Sequence, residues 1–126
     1  MDMNTAIVRA LRPESWTVTA AGEANTQATA TKAAAAGKTH YITGFAAAVT
    51  GAAVGETDVA VELKDGTTVI WREYFGAAAL RGTNIARTFA VPVKMTAGAA
   101  ASLTIAALGT GAIGVANLAG YTEQEG

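Results

Sequence analysis

The segment VAVELKDGTTVIW, residues 59–71, carries the clearest fold signal in the chain. Val59, Val61 and Leu63 alternate with small or charged residues, which is the period of a strand with one buried face. An Asp-Gly pair separates this run from a second apolar run that ends at Trp71. Asp-Gly between apolar runs is a strong hairpin signal, because glycine tolerates the positive φ that a tight turn requires. The segment therefore predicts two antiparallel strands joined by a tight turn.

The turn permits two registers, and a one-residue slip between them moves every side chain to the other face. A two-residue turn places Val61 opposite Ile70 and makes Trp71 an exposed anchor for a partner. A three-residue turn with a glycine bulge instead places Val61 opposite Val69 and Val59 opposite Trp71. We favour the three-residue turn, because it gathers the large apolar residues, Trp71 included, on the face expected in the core. The residues left on the outward face are then Ile70, Arg72 and Tyr74.

The composition favours a single all-β domain. A chain of 126 residues is long enough to bury a core but too short for two domains. Hydrophobic residues make up 51% of it, but alanine alone supplies roughly a quarter of the chain, well above ordinary usage. Large apolar side chains are therefore few, and a thin core between two closely packed sheets is expected. Threonine is abundant, glycine numbers 14, and no long helix-forming run occurs.

Charge and cysteine content exclude several functional classes. The formal net charge is −1 and the lysines and arginines are scattered singly, so no basic stripe is available for nucleic acid. The chain has no cysteine, which excludes a disulfide scaffold, a thiol nucleophile and a thiolate zinc site. The first residues are acidic and no long apolar run follows them. We therefore expect neither a secretory signal nor a membrane partner.

Turn residues divide the chain into about eight short strands. Besides the hairpin, we expect strands over residues 16–20, 27–34, 39–49, 85–91, 102–108 and 112–121. The last two are expected to form a hairpin across Gly109 and Gly111. This pattern predicts an antiparallel β-sandwich, jelly-roll-like, over residues 15–121. No segment sustains a helical period, and the crossover helices of a parallel sheet are missing. Residues 122–126 are expected to form a polar tail.

Residues 1–14 are interpreted as an extended N-terminal arm. Ile7 and Leu11 belong to a short apolar run that Pro13 stops. An arm of this kind commonly lies on a neighbouring subunit, and a frayed terminus is an equal alternative. If the arm binds a neighbour, Ile7 and Leu11 are the candidate contact residues.

Three features that suggest chemistry are better explained by structure. Residues 32–39 match a Walker A loop except that Lys32 replaces its first glycine, and a strand rather than a helix follows. Residues 109–114 match G-x-G-x-x-G, but the helix, second strand and acidic residue of a dinucleotide site are missing. His40 is the only histidine, so no histidine cluster can bind a metal. We therefore expect no enzyme activity, no catalytic residues, no cofactor and no metal.

The aromatic and arginine residues after the turn form the most informative group. Trp71, Arg72, Tyr74 and Phe75 lie so close together in sequence that at least two must face away from the core. Tryptophan, tyrosine and arginine are favoured in interface hot spots. An equal alternative is that Trp71 and Phe75 fill the core while Arg72 and Tyr74 lie on ordinary surface. The candidate interface residues are Ile70, Arg72, Tyr74 and Arg81, together with Ile7 and Leu11 of the arm.

Four segments resemble one known class of protein. They are GKTHYITG at 37–44, VELKDGTTVIW at 61–71, TAGAAASLTIAA at 96–107 and AGY at 119–121. Together they resemble small virion structural proteins of tailed bacteriophages, of the head-decoration, minor-capsid or tail-accessory kind. The resemblance covers residues 37–121 and rests on strand and turn sequences without a catalytic signature.

The resemblance implies a jelly-roll-like sandwich that assembles as a homo-oligomer, with a trimer favoured. It also implies a capsid-surface location in the virion after assembly in the host cytoplasm, with the major capsid protein or other virion proteins as partners. The leading hypothesis is therefore a head decoration (cement) protein that binds and stabilises the capsid shell. A tail or head-fibre accessory protein and a carbohydrate-binding module are the alternatives.

Overall fold

The computed structural model describes residues 14–124; Ile7 and Leu11, the two arm residues predicted as contacts, lie outside this range. Residues 14–124 form eight strands and no helix, and so they contain no helix able to cross a membrane. The strands are β1 (Glu14–Ala21), β2 (Ala28–Lys32), β3 (Lys38–Thr50), β4 (Val59–Asp65), β5 (Thr68–Phe75), β6 (Asn84–Lys94), β7 (Ala101–Ile105) and β8 (Ile113–Gln124).

The strands form two four-stranded antiparallel sheets with the orders β1-β8-β3-β6 and β2-β7-β4-β5. The pairing is nested: β4 pairs with β5, β3 with β6, β2 with β7 and β1 with β8. The chain is thus one long hairpin, closed at β4–β5 and rolled so that its two sheets face each other. This is a jelly roll, and the predicted all-β fold class is confirmed.

The core between the sheets contains few large side chains. The largest fully buried ones include Ile42, Leu63, Phe75, Leu103 and Leu118, each at most 1% exposed. Alanine fills much of the remaining space, with Ala47, Ala101, Ala112 and Ala116 all 0% exposed. Small residues on the inner faces let the two sheets share a core despite the shortage of large apolar residues.

Gly120 of β8 shows how closely the backbone approaches itself in the first sheet. It lies directly opposite Trp16 of β1. A Cβ added there would lie 2.1 Å from the carbonyl oxygen of Tyr41 and 2.9 Å from the Trp16 ring. No real Cβ tolerates such a distance to backbone, so glycine is required at this position.

We expect Gly120→Ala to lower the free energy of unfolding by about 1–3 kcal/mol, the usual cost of forcing extra atoms into a packed site. Gly76→Ala is the matched control, because a Cβ at Gly76 meets nothing within 4 Å. Chemical denaturation of the two variants measures the difference. Equal stabilities would contradict the close approach at Gly120.

The hairpin turn lies one residue further along the chain than either predicted register places it. Asp65 pairs with Thr68, so the turn residues are Gly66 and Thr67. Gly66 has a φ of 61° and occupies the first central position, where a type II′ turn needs a glycine. Asp65 stays in β4 because its carboxylate accepts hydrogen bonds from the backbone N–H of Thr96 at 3.0 Å and from its hydroxyl at 2.8 Å.

A bulge then restores the hydrophobic face. Leu63 lies opposite Trp71 but Lys64 lies opposite Val69, so Ile70 is the additional residue. Trp71 therefore shares the inward face with Leu63, as favoured, although the predicted pairing of Val59 with Trp71 is wrong, because Val59 faces Phe75 instead. The expected inward position of Val69 is also wrong, since its partner Lys64 occupies an outward position of β4.

Two predicted boundaries and one predicted hairpin need correction. β1 begins at Glu14, which therefore belongs to the sandwich and not to the arm. β8 continues to Gln124 and its end pairs with β3, so residues 122–124 are strand rather than polar tail. β7 and β8 lie in different sheets, so Gly109 and Gly111 belong to a crossing between sheets and not to a hairpin. Alternation along a strand predicts burial but does not identify the strand's partner.

Candidate interaction surface

β5 and β6 form one side of the sandwich, hereafter the β5/β6 side. Each is the edge strand of its own sheet, and side chains join them across the gap between the sheets. The Trp71 ring meets the Phe89 ring edge to face, with centroids 5.4 Å apart and an interplanar angle of 74°. Glu73 of β5 forms an ion pair with Arg87 of β6. These contacts close the edge of the core on this side.

Glu73 is the polar centre of the β5/β6 side. Its carboxylate accepts a hydrogen bond from Trp71 Nε1 at 2.9 Å and another from the Arg87 guanidinium. Partial burial opposes the charge of Glu73, but the two hydrogen bonds and the positive charge of Arg87 outweigh that effect and hold its pKa below the usual value. The ionised form is therefore the one that stabilises this edge.

We expect Glu73→Gln to lower the free energy of unfolding at pH 7 by about 1 kcal/mol, because a pair with a half-exposed arginine contributes no more than that. A lowered carboxyl pKa contributes stability above the unfolded-state pKa and loses it as the pH falls through the folded-state pKa. The difference in free energy of unfolding between wild type and variant should therefore disappear as the pH falls below about 4. Denaturant titrations at pH 7, 5 and 3 measure this difference. A difference that stays constant with pH would contradict the lowered pKa of Glu73.

The exposed large hydrophobic residues are concentrated in one part of the chain. Among residues 14–124 they are Ile70, Trp71, Tyr74, Leu80 and Val91, with exposures of 39%, 41%, 56%, 73% and 80%. All five belong to β5, β6 or the loop between these strands. Single exposed apolar residues are ordinary, but the occurrence of all five within residues 70–91 makes this part of the molecule the candidate for a surface that binds a partner.

The predicted interface residues lie on or beside this surface. Ile70 and Tyr74 are exposed, and Arg81 is exposed in the loop after β5. Arg72 lies opposite Glu62 on the outer face of the hairpin, and its Nε donates to Glu62 Oε2 at 2.7 Å. That hydrogen bond and the charge of Glu62 raise the pKa of Arg72 above its usual value. None of these placements establishes binding, so the four residues remain candidates.

Trp71 both packs against the core and is exposed to solvent, whereas the two predicted registers give it only one of these roles each. Its pairing with Leu63 turns it inward, yet it remains 41% exposed because no strand lies beyond β5 to cover it. Part of the ring thus packs against Phe89 and the remainder is exposed to solvent. A partner on the β5/β6 side would cover a residue that already packs against the core.

Sequence reasoning misses Leu80 and Val91, the two most exposed of the five residues. Val91 lies in a large irregularity of β6: Thr88 pairs with Gly44 and Val93 with Ile42, so residues 89–92 lie opposite Thr43 alone. Pro92 lies within it and has no N–H to donate to a ladder. A proline inside an apolar strand pattern is the signal that identifies this bulge.

A shallow hollow lies next to the bulge. Its volume is about 380 Å³, and it is lined by residues 43–46 of β3, residues 86–88 of β6, and Asn117 and Ala119 of β8. Arg87 supplies the only ionisable side chain of this lining. The hollow is a small, largely uncharged concave surface formed by three strands of the first sheet.

The single histidine is buried and hydrogen-bonded within the sandwich. His40 is 1% exposed, with Nε2 2.8 Å from the carbonyl oxygen of Ala33 and Nδ1 2.7 Å from Thr122 Oγ1. Thr122 Oγ1 also accepts a hydrogen bond from Trp16 Nε1 at 2.9 Å. The chain of contacts joins β1, β3 and β8, and within residues 14–124 no group of acidic and histidine side chains is arranged to hold a metal ion.

Comparisons identify the fold among solved structures. No family model and no curated protein sequence matches the chain. A chain of the acidic stable capsid structure of Helicobacter pylori bacteriophage KHP30 matches with a TM-score of 0.56 and 13% identity, covering 87% of this chain and 91% of that one. The likeness extends over most of both chains and shows a shared fold.

Two more distant similarities have TM-scores below 0.5. The family 32 carbohydrate-binding module of C. perfringens NanJ, solved with galactose, has a TM-score of 0.40 and 13% identity over 85% of this chain and 93% of that one. A chain of the virus-like particle of extra small virus from the prawn Macrobrachium rosenbergii has a TM-score of 0.36 and 17% identity over 91% of this chain and 80% of that one.

Proposed function

We propose that the protein is a non-enzymatic structural protein of a bacteriophage virion, and that it is a head decoration protein that binds and stabilises the capsid shell. The observation that carries the proposal is the concentration of all exposed large hydrophobic residues among residues 14–124 on the β5/β6 side. Exposed apolar residues concentrated on one side favour association with another protein surface.

The fold is compatible with this role but does not select it, since jelly rolls occur in viral capsid and lectin domains alike. Two further observations support the virion. The KHP30 capsid chain matches this chain almost end to end, and the strand and turn sequences of residues 37–121 resemble phage virion proteins. Neither depends on the exposed hydrophobic residues.

The proposed mechanism is stabilisation by binding. The β5/β6 side lies against the major capsid protein or another virion protein at the capsid surface, after assembly in the host cytoplasm. Apolar area removed from water contributes about 25 cal/mol per Å² before the costs of association. Because the protein binds the intact shell and not its separated parts, binding stabilises the shell by mass action. A homo-oligomer, with a trimer favoured, multiplies the contacts and raises avidity.

Where a major capsid gene lies beside the gene of this protein, shells assembled from its product test the proposal. We expect the purified protein to sediment with the shells, to raise their melting temperature and to be oligomeric by light scattering. A strict monomer at high concentration that leaves the shells unbound and unstabilised would refute it. Selective binding on a glycan array would favour a carbohydrate-binding module, and binding to purified tails or head fibres in place of shells an accessory protein.

A further inference from the structure

The four edge strands of the sandwich differ in how they are protected against pairing with another chain. β5 has a bulge at Ile70 and an inward-facing Glu73, and β6 has a larger bulge, Pro92 and an inward-facing Arg87. Bulges, prolines and inward charges are the devices that keep edge strands from pairing. β2 has only five residues and ends in a lysine. These three edges are therefore blocked or too short.

β1 carries none of these devices. It pairs with β8 in continuous register over all eight residues, without a bulge, and after Glu14 its sequence SWTVTAA has neither charge nor proline. A long, flat, uncharged edge strand is a template for strand addition. Within residues 14–124, β1 has no second strand partner.

The hydrogen-bonding groups of this edge can be assigned from the register. The N–H of Gly22 donates to the carbonyl of Gly114 at 2.9 Å, and these two residues continue the β1–β8 register by one position. Directly opposite residues that exchange hydrogen bonds alternate with residues that do not. The even-numbered residues of β1 therefore point their backbone groups at β8. Those of Ser15, Thr17, Thr19 and Ala21 point outward from the sheet edge.

We propose that β1 pairs with β1 of a second copy of this chain, antiparallel and about a two-fold axis at Val18. The register follows from the outward backbone groups: Thr17 pairs with Thr19 of the second copy and Ser15 with its Ala21, each exchanging two hydrogen bonds. Val18 then lies opposite its own counterpart in a pair without hydrogen bonds. The contact joins two four-stranded sheets into one sheet of eight strands.

The side chains of β1 are complementary to themselves in this register. On the outer face threonine meets threonine, a pair that is favourable across strands. On the inner face the large Trp16 meets the small Ala20, and both are partly buried residues that pack against the core. No like charges lie directly opposite, because Glu14 meets Gly22, and Glu14 has Lys38 Nζ at 3.8 Å in its own chain. A second copy thus covers the half-exposed apolar residues of β1.

The size of the contact sets its strength. Eight residues on each side are well below the 20–30 of a standard interface, so we expect a weak dimer that dissociates on dilution. The contact uses β1, which is not part of the β5/β6 side. The inference therefore does not depend on the proposed function. A copy bound to a shell through β5 and β6 keeps β1 free to join a neighbouring copy.

Single-cysteine variants test the register, because the chain has no cysteine of its own. In the proposed dimer a cysteine at Val18→Cys faces its counterpart at about 4.5 Å between Cα atoms, within disulfide range. A cysteine at Ala20→Cys lies about 13 Å from its counterpart, four strand positions away, and serves as the control. We expect V18C to form disulfide-linked dimers at least tenfold faster than A20C under mild oxidation. Equal rates would overturn the proposal.

Charge variants in the V18C background separate a specific contact from random collision. T17K/T19K places lysine opposite lysine at both threonine pairs and should lower the cross-linking rate at least tenfold. T17K/T19E changes the same positions but places lysine opposite glutamate, and should restore it. Melting temperatures confirm that both variants are folded. Equal cross-linking of the two would overturn the proposal.

The alternative to a second copy is that residues 1–13 of the same chain cover this edge. Amide hydrogen exchange distinguishes the two. We expect exchange at Thr17 and Thr19 to slow as the protein concentration rises. Slow exchange at these two amides at every concentration, with V18C no faster than A20C, would mean that the chain covers its own edge, and the proposal would fail.

Discussion

The double variant L80D/V91D is expected to bind capsid shells at least about 100-fold more weakly than the wild type, a loss of about 2.8 kcal/mol of binding free energy. Leu80 and Val91 are 73% and 80% exposed, so the free protein loses little on their replacement. In the bound state each aspartate would be buried without a partner, and an unpaired buried charge is costly. Co-sedimentation over a range of protein concentrations measures the affinity.

T31D/T110D is the matched control, since both threonines are exposed and lie outside the β5/β6 side. It adds the same two charges and should bind shells as the wild type does. If L80D/V91D binds normally, the β5/β6 side is not the contact surface. The milder L80S/V91S, which adds no charge, should show a smaller loss in the same direction.

Phe75→Ala is expected to lower the free energy of unfolding by about 3–5 kcal/mol, the usual cost of deleting a buried phenylalanine ring. Phe75 is 1% exposed at the end of β5 and lies opposite Val59, in the innermost pair of the nested strands. A loss of this size is a large part of the about 5–15 kcal/mol that stabilises a typical domain. Denaturant unfolding followed by tryptophan fluorescence measures it.

Tyr74→Ala is the control, because its ring is of similar size but 56% exposed and faces outward from the same strand. We expect its effect on unfolding to stay below about 1 kcal/mol, as for ordinary surface substitutions. Reversed effects at Phe75 and Tyr74 would mean that β5 presents its opposite face to the core.

Burial explains which parts of the fold are visible in the sequence. The alternation of Val59, Val61 and Leu63 is readable because one face of β4 is buried and the other is not. The position of the turn is not readable locally, since it depends on hydrogen bonds between Asp65 and Thr96, 31 residues away. Turn rules that consider only neighbouring residues have no access to that contact.

The candidate surface is predictable only in part, for a related reason. Ile70 and Tyr74 stand out because several bulky residues in succession cannot all face the core. Leu80 follows a run of alanines, and Val91 fits the alternation of a buried strand. Their exposure arises from a loop and a bulge whose shape depends on the register between β3 and β6. That register is a property of the folded sandwich.

The nested pairing of the strands determines the order in which the chain can fold. Val59 and Phe75 are 16 residues apart, whereas Glu14 and Thr122, which pair in the outermost strands, are 108 residues apart. Loop closure costs more for distant partners, and folds rich in distant contacts fold slowly. β1 leaves the ribosome before every other strand of the sandwich, but its partner β8 is made after all the others. The whole sandwich must therefore be synthesised before its first strand can be placed.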